Sequence, residues 1–272
     1  MIDSLVSVVI PCFRQGDTLE RAVRSVLRQA YLHEIIIVDD CSTDSTRGVA
    51  EALCELDPRI AVFSTPENRG PAGARNFGAM FATGHYLAFL DADDEYLDDF
   101  LKMTVKVLEG REDMRAIKSG IEYVDEMGIP LFKPGDPRLD ALNFSSSSNI
   151  VIVTEAFLKL GGFPEYREFR AEHGGEDVAF NKAVARFLEP LGRIDEAGYR
   201  CWNRSGSHLD RFIQNTVVDG EKFSFVSLTE AQNPGGSLDQ AIDRFLAEVE
   251  PRFEDEAKRR KAASSTAVVD GG

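Results

Sequence analysis

Tyr86-Leu-Ala-Phe-Leu-Asp-Ala-Asp-Asp94 sets a short apolar run directly against a cluster of aspartates. A continuous apolar run of this length predicts a strand covered on both faces, as in a parallel sheet. Three further runs share the pattern: Val6-Ser-Val-Val-Ile10, ended by Pro11; Glu34-Ile-Ile-Ile-Val-Asp-Asp40; and Ile60-Ala-Val-Phe63. Helical spacing lies between them. Apolar residues recur at 19, 22, 23, 26 and 27, behind Asp17-Thr-Leu-Glu20, which has the shape of a capping box. Ser42-Thr-Asp-Ser45 opens a helix to about Cys54, Ala72 to Ala82 reads as another, and Leu97 to Glu109 as a fourth. This alternation predicts an α/β fold with a mostly parallel sheet flanked by helices. Ligands of such sheets bind beyond the carboxyl ends of the strands. Asp39, Asp40 and residues 91–94 are therefore expected near one crevice.

The second half is less regular. Ile121 to Leu131 reads as two short strands joined by a turn at Asp125-Glu-Met-Gly128, and Pro134 to Ser148 as a mobile loop. Asn149 to Val153 is a candidate strand, with Thr154 capping a helix to Leu160 that Gly161-Gly-Phe-Pro164 breaks. Apolar residues at 179, 180, 183, 184 and 187 predict a helix from Glu176 to Leu188. Ser237 to about Lys261 reads as a charged amphipathic helix, and Ala262 to Gly272 as a frayed tail.

The 272 residues carry 31 Lys+Arg against 46 Asp+Glu, a formal charge of -15, so binding to nucleic acid through its phosphates is not expected. No apolar run reaches the ~20 residues of a membrane span, which leaves peripheral membrane contact as the one membrane association open. Met1-Ile-Asp-Ser-Leu5 has no basic segment before an apolar stretch, so the expectation is no signal peptide and a cytoplasmic location. Cys12, Cys41, Cys54 and Cys201 have no C-x-x-C spacing and read as thiols of a reducing compartment.

Several groups could carry chemistry. Residues two apart in an extended segment point the same way, so Asp91 and Asp93 could converge on a hard divalent ion. The competing reading is an acidic turn in which Asp94 caps the next helix. Asp39 and Asp40 could accept hydrogen bonds from a ribose or a base, or merely favour a helix N-terminus. Asn68-Arg-Gly-Pro-Ala-Gly-Ala-Arg-Asn76 joins a Gly-rich turn to Arg75, which suits phosphate oxygens, although a plain loop with a surface Arg would look the same. Glu176-Asp177 could supply a general base or cap its helix. His33, His85, His173 and His208 are scattered, without zinc spacing; His208 is a candidate third metal ligand beside carboxylates.

The order of these motifs resembles family 2 glycosyltransferases: Val8-Val-Ile-Pro-Cys-Phe13, Ser25-Val-Leu-Arg-Gln29, Glu34 to Asp44, Asn68-Arg-Gly70 with Ala74-Arg-Asn76, Phe89 to Asp94, Gly161-Gly-Phe163 and Glu176-Asp177. The match spans residues 5 to 190, and Tyr199 to His208 resembles the loop that follows. The resemblance implies a GT-A fold over residues 1–220, with a nucleotide-sugar half (1–110) and an acceptor half (111–220); residues 221–272 have no counterpart in it and read as a helical extension with a frayed tail. It implies a nucleotide-sugar donor, expected to be a UDP-sugar, a carbohydrate or glycoconjugate acceptor, and Mn²⁺ or Mg²⁺. Asp91, Ala92 and Asp93 would meet the metal and donor, Asp39 and Asp40 the base and ribose, and Pro11, Phe13 and Arg75 the donor pocket. Asp177 would be the catalytic base of an inverting transfer, with Glu176 on the acceptor side. Phe13-Arg14 stands where members often carry Tyr-Asn, and Asn181-Lys182 where an Arg is common. The alternative is a non-catalytic nucleotide-sugar-binding module on the same fold. An oxidoreductase is disfavoured because no G-x-G-x-x-G follows the first strand.

Overall fold

The computed structural model describes residues 5–170, 174–226 and 237–254. Its centre is strand β1 (Val6–Cys12), buried along its whole length. β1 pairs in parallel with β2 (Leu32–Asp39) on one side and β4 (Tyr86–Phe89) on the other, and β2 pairs in parallel with β3 (Ile60–Ser64). Both faces of these strands are covered, which is why Val8 to Ile10 and Ile35 to Val38 can be apolar without alternation. Helices α1 (Leu19–Leu27), α2 (Thr46–Cys54), α3 (Gly70–Ala79) and α4 (Phe100–Glu109) connect or follow these strands. α3 lies close to the sheet: a Cβ on Gly78 would sit 2.5 Å from Val9 Cγ1 and 2.9 Å from Val38 Cγ2.

The sheet continues through β7 (Ile150–Val153), β6 (Ala116–Val124), β8 (Leu191–Trp202) and the short β5 (Glu95–Tyr96), giving the order β3-β2-β1-β4-β7-β6-β8-β5. β7 is antiparallel to both β4 and β6, whereas β6 and β8 run parallel. α5 (Leu139–Ser145), α6 (Thr154–Leu160) and α7 (Glu176–Phe187) pack on this half. α8 (His208–Gln214), the hairpin β9 (Thr216–Asp219) and β10 (Lys222–Phe225), and α9 (Ser237–Val249) follow. α9 buries Ala241, Ile242, Phe245 and Val249 and ties back through Arg244–Glu168 and Tyr166–Glu248 contacts.

The second half corrects several expectations. Residues 121–131 form no strand pair: the Asp125 turn exists, but its second arm is one bridge, Val124 to Pro130, and the strand proper begins at Ala116. Pro134 to Ser148 contains α5 instead of only a loop. β8 had no sequence signal, because its exposed positions are polar and two glycines interrupt it. The capping box at Asp17 does not form; α1 starts after Thr18, which has no side-chain cap. Asp94 is no helix cap either, since α4 starts after Asp99. The boundary expected near residue 220 falls in the β9–β10 turn. Of the helix expected to Lys261, the described part ends at Val249 with a short 3-10 turn; residues 255–261 and the expected tail lie outside the described residues. All four cysteines are free thiols. No helix among the described residues is long and apolar enough to cross a membrane.

Candidate active site

The carboxyl ends of β1, β2 and β4 open on one side of the sheet, and Asp39 sits opposite Cys12 in the β1–β2 ladder. Asp39 Oδ1 accepts from the Ser42 amide at 3.1 Å. Asp40 is spent internally. It is 3% exposed and accepts from the Thr65 hydroxyl at 2.6 Å and from the Arg69 and Gly70 amides at 2.9 and 2.8 Å. Those amides begin α3, so a buried carboxylate satisfies and complements its N-terminus. Pro11 is buried within β1, while Phe13 is exposed at the strand's end with the Arg14 guanidinium 5.0 Å from its ring centre.

Residues 91–94 form a turn, closed by the Asp94 amide donating to the Asp91 carbonyl at 3.0 Å. The alternation expected of an extended segment therefore does not apply. Asp91 faces Arg75, Nη2 to Oδ1 at 2.6 Å. Asp93 pairs with Arg204, and its carbonyl accepts from Arg21. Ala92 is buried. Asp94 turns inward, accepting from the Tyr199 hydroxyl and from the Trp202 amide at 2.8 Å, which fixes the end of β8 to the turn. Burial, then the nearby Asp91 charge, pushes the Asp94 carboxyl up to about 7.

Arg75 joins the two acidic motifs. It is 2% exposed, and its Nη1 reaches Asp177 Oδ1 at 2.9 Å and Glu176 Oε1 at 3.9 Å. The guanidinium lies 5.2 Å from the centre of the Phe163 ring, and Asn76, one residue on, holds the Phe163 backbone at both N and O, each at 2.8 Å. Arg75 is thus engaged by protein carboxylates; its Nε is buried without a partner. Three carboxylates surround one guanidinium, so protonation is favoured at one of them. Burial and then the Asp177 charge push Glu176 up to about 7, and burial raises Asp177 despite Arg75 beside it.

Gly174 and Gly175 have φ of +61° and +114°, values side chains rarely adopt, and their turn presents Glu176 and Asp177 at the start of α7. Asp177 Oδ1 also accepts from the Ser147 hydroxyl at 2.8 Å. Both partners take Oδ1, and Oδ2 has no hydrogen bond from the described residues. His208 begins α8 on the Glu176 side: a Cβ on Gly174 would lie 3.1 Å from His208 Cε1 and 3.4 Å from Glu176 Oε2. Ser147, Lys118 and Arg21 are site residues that the sequence reading did not find. A lysine inside the apolar strand Ala116-Ile-Lys-Ser119 was the available signal for one of them.

Residues 7–125 match the family described as Glycosyl transferase family 2. This part of the chain belongs to that family. The succinoglycan biosynthesis protein ExoO of Rhizobium meliloti is 32% identical over 197 residues, 71% of this chain and 51% of its own length. The Escherichia coli UDP-Glc:alpha-D-GlcNAc-diphosphoundecaprenol beta-1,3-glucosyltransferase WfgD is 36% identical over 109 residues, 40% of this chain and 42% of its own. The match spans about half or less of the length of these curated relatives. Among solved structures, S. aureus TarS 1-349 in complex with UDP-GlcNAc superposes with a TM-score of 0.63 at 22% identity, covering 91% of this chain and 72% of that one. The architecture is the GT-A fold that the motif order implied.

Proposed function

We propose that this chain is an inverting glycosyltransferase that moves a sugar from a UDP-sugar to a hydroxyl of a carbohydrate or glycoconjugate. The observation that carries the reading is the Arg75 bridge, which brings the Asp91 turn and Asp177 to the same open edge of the sheet. Glycosyltransferase relatives and a UDP-GlcNAc-bound structure of the same fold support it.

The acceptor hydroxyl would give its proton to Asp177 Oδ2, the oxygen that Arg75 and Ser147 leave free. Its oxygen forms the new bond at the anomeric carbon from the face opposite the diphosphate, whose C–O bond breaks to release UDP. Glu176, which burial and the Asp177 charge push up to about 7, is only partly ionised near neutral pH and so adds less than a full charge beside the base. Phe13 is exposed at the end where the base and ribose would lie, with Asp39 buried at the end of β2 next to it.

In this reading a divalent cation would be held by Asp91 and Asp93, sharing Asp91 with Arg75 and replacing Arg204 at Asp93. Asp91 and Asp93 have side chains 35% and 19% exposed, and Mg²⁺ or Mn²⁺ needs only one or two carboxylates beside phosphate oxygens and water. Bound there, the ion would supply charge stabilisation to the leaving diphosphate. No group of three or more potential ligands converges among the described residues, so His208 serves as third ligand in this reading only with movement of its loop.

A thermal-shift panel of UDP-, GDP- and dTDP-sugars, with and without Mn²⁺, tests the donor. The expected result is a Mn²⁺-dependent rise with a UDP-sugar, since ligand at ~100 times Kd adds about 2.7 kcal/mol. It should be smaller in Asp93→Asn, and in His208→Ala if that ligand is right. No metal-dependent shift with any nucleotide sugar would overturn the reading.

A further inference from the structure

Asp177 receives the Ser147 hydroxyl from the segment between α5 and β7, and a buried lysine holds that segment in place. Lys118, the third residue of β6, is 6% exposed. Its ammonium has three N–H groups, and three oxygens receive them: the Phe144 carbonyl at 2.8 Å, the Ser146 carbonyl at 2.6 Å and Asn181 Oδ1 at 2.8 Å. Asn181 lies one turn after Asp177 on α7 and is 1% exposed. Its Nδ2 contacts the Ser145, Ser146 and Asp177 carbonyls at 3.2, 3.0 and 2.9 Å. Ser147 follows directly and donates to Asp177 Oδ1. The strand, the segment and the helix carrying Asp177 are therefore fastened at one point, inside the protein.

We infer that Lys118 is a positioning residue for Asp177: by clamping the Phe144 and Ser146 carbonyls it aims Ser147 at Oδ1, and so turns Oδ2 toward the acceptor. This rests on reading Asp177 as the base. Burying an ammonium against neutral oxygens is expensive, and an apolar residue of similar length would fill the same space without desolvating a charge. What only a three-donor group supplies is the fixed direction of three acceptors. A lysine that merely capped the carbonyls at the C-terminal end of α5 would change stability and leave the rate constant of the folded enzyme alone. A positioning lysine changes turnover, because small misplacements of a reacting group cost up to ~10²-fold.

The test compares Lys118→Met, Lys118→Gln, Ser147→Ala, Lys118→Met/Ser147→Ala and Asp177→Asn. The readouts are UDP release from UDP-glucose and UDP-GlcNAc with Mn²⁺, and amide hydrogen exchange over residues 143–149. We expect Lys118→Met and Ser147→Ala each to lower kcat about tenfold with donor KM within about twofold. The double variant should lie within about threefold of the worse single one, because both act through one contact. Exchange at 143–149 should quicken in the Lys118 variants while the β1–β2 core keeps its protection. Multiplying effects in the double variant, a change in KM with kcat intact, or unaltered exchange at 143–149 would each overturn the inference. Lys118→Gln is read in the same way should Lys118→Met fail to fold. Wild-type turnover in Asp177→Asn would instead overturn the base assignment, and exchange would still decide whether Lys118 fixes the segment.

Discussion

Arg75 is a buried cation paired with Asp91, Glu176 and Asp177, so its loss leaves carboxylates uncompensated. Arg75→Met should destabilise the fold by about 3–5 kcal/mol, the usual effect of removing one partner of a buried pair, read from urea midpoints. Asp94 gives the clearest pH signature. Its folded-state value near 7 lies above the ordinary carboxylate range, so the folded protein holds this proton more tightly than the unfolded chain. That contribution is complete below about pH 4 and is lost as pH rises through about 7. Asp94→Asn can still accept from the Trp202 amide. The wild type should lose more of its melting temperature than Asp94→Asn between pH 5 and pH 8, and equal slopes would contradict the assignment. The positions of Asp39, Asp91 and Asp177 were legible because strand ends and a helix start placed them. The inward turn of Asp94 and the internal use of Asp40 were not, because both depend on donors far along the chain, Tyr199, Trp202 and Thr65.

Elements with one strong local pattern were readable from the sequence. β1, β2, β3 and β4 are apolar runs between helical repeats, and the structure pairs them in parallel as that alternation requires. β8 was not readable, because its regularity comes from pairing with β6 rather than from its own residues, and the ladder shifts register at Gly120. α3 shows which force decides locally. Alanine at 78 would favour the helix by ~1 kcal/mol over glycine, but its Cβ would overlap Val9 at 2.5 Å. Overpacking of a tight core costs ~1–3 kcal/mol, so Gly78→Ala should be a net loss, seen as a lower urea midpoint at unchanged m-value. A midpoint equal to or above wild type would mean that α3 shifts freely on the sheet.

For the molecule as a whole, the C-terminal helix is part of the fold. α9 buries Ile242, Phe245 and Val249, each side chain contributing ~1.5–3 kcal/mol when fully covered, and reaches Glu168 and Tyr166 next to the turn that opens α7. A chain ending at residue 226 should melt well below the full chain or aggregate, and an unchanged melting temperature would show that α9 is dispensable. The formal charge of -15 also has a place in the account. Asp91, Asp93 and Asp177 keep part of their side chains exposed beyond the carboxyl ends of the strands, and such a surface favours a diphosphate only with a cation between them. The most direct test measures UDP release from a UDP-sugar, together with UDP binding, for the wild type and Asp177→Asn in the presence of Mn²⁺. The account predicts a fall of ~10²–10⁴-fold in turnover with UDP binding unchanged; wild-type turnover in Asp177→Asn would contradict it.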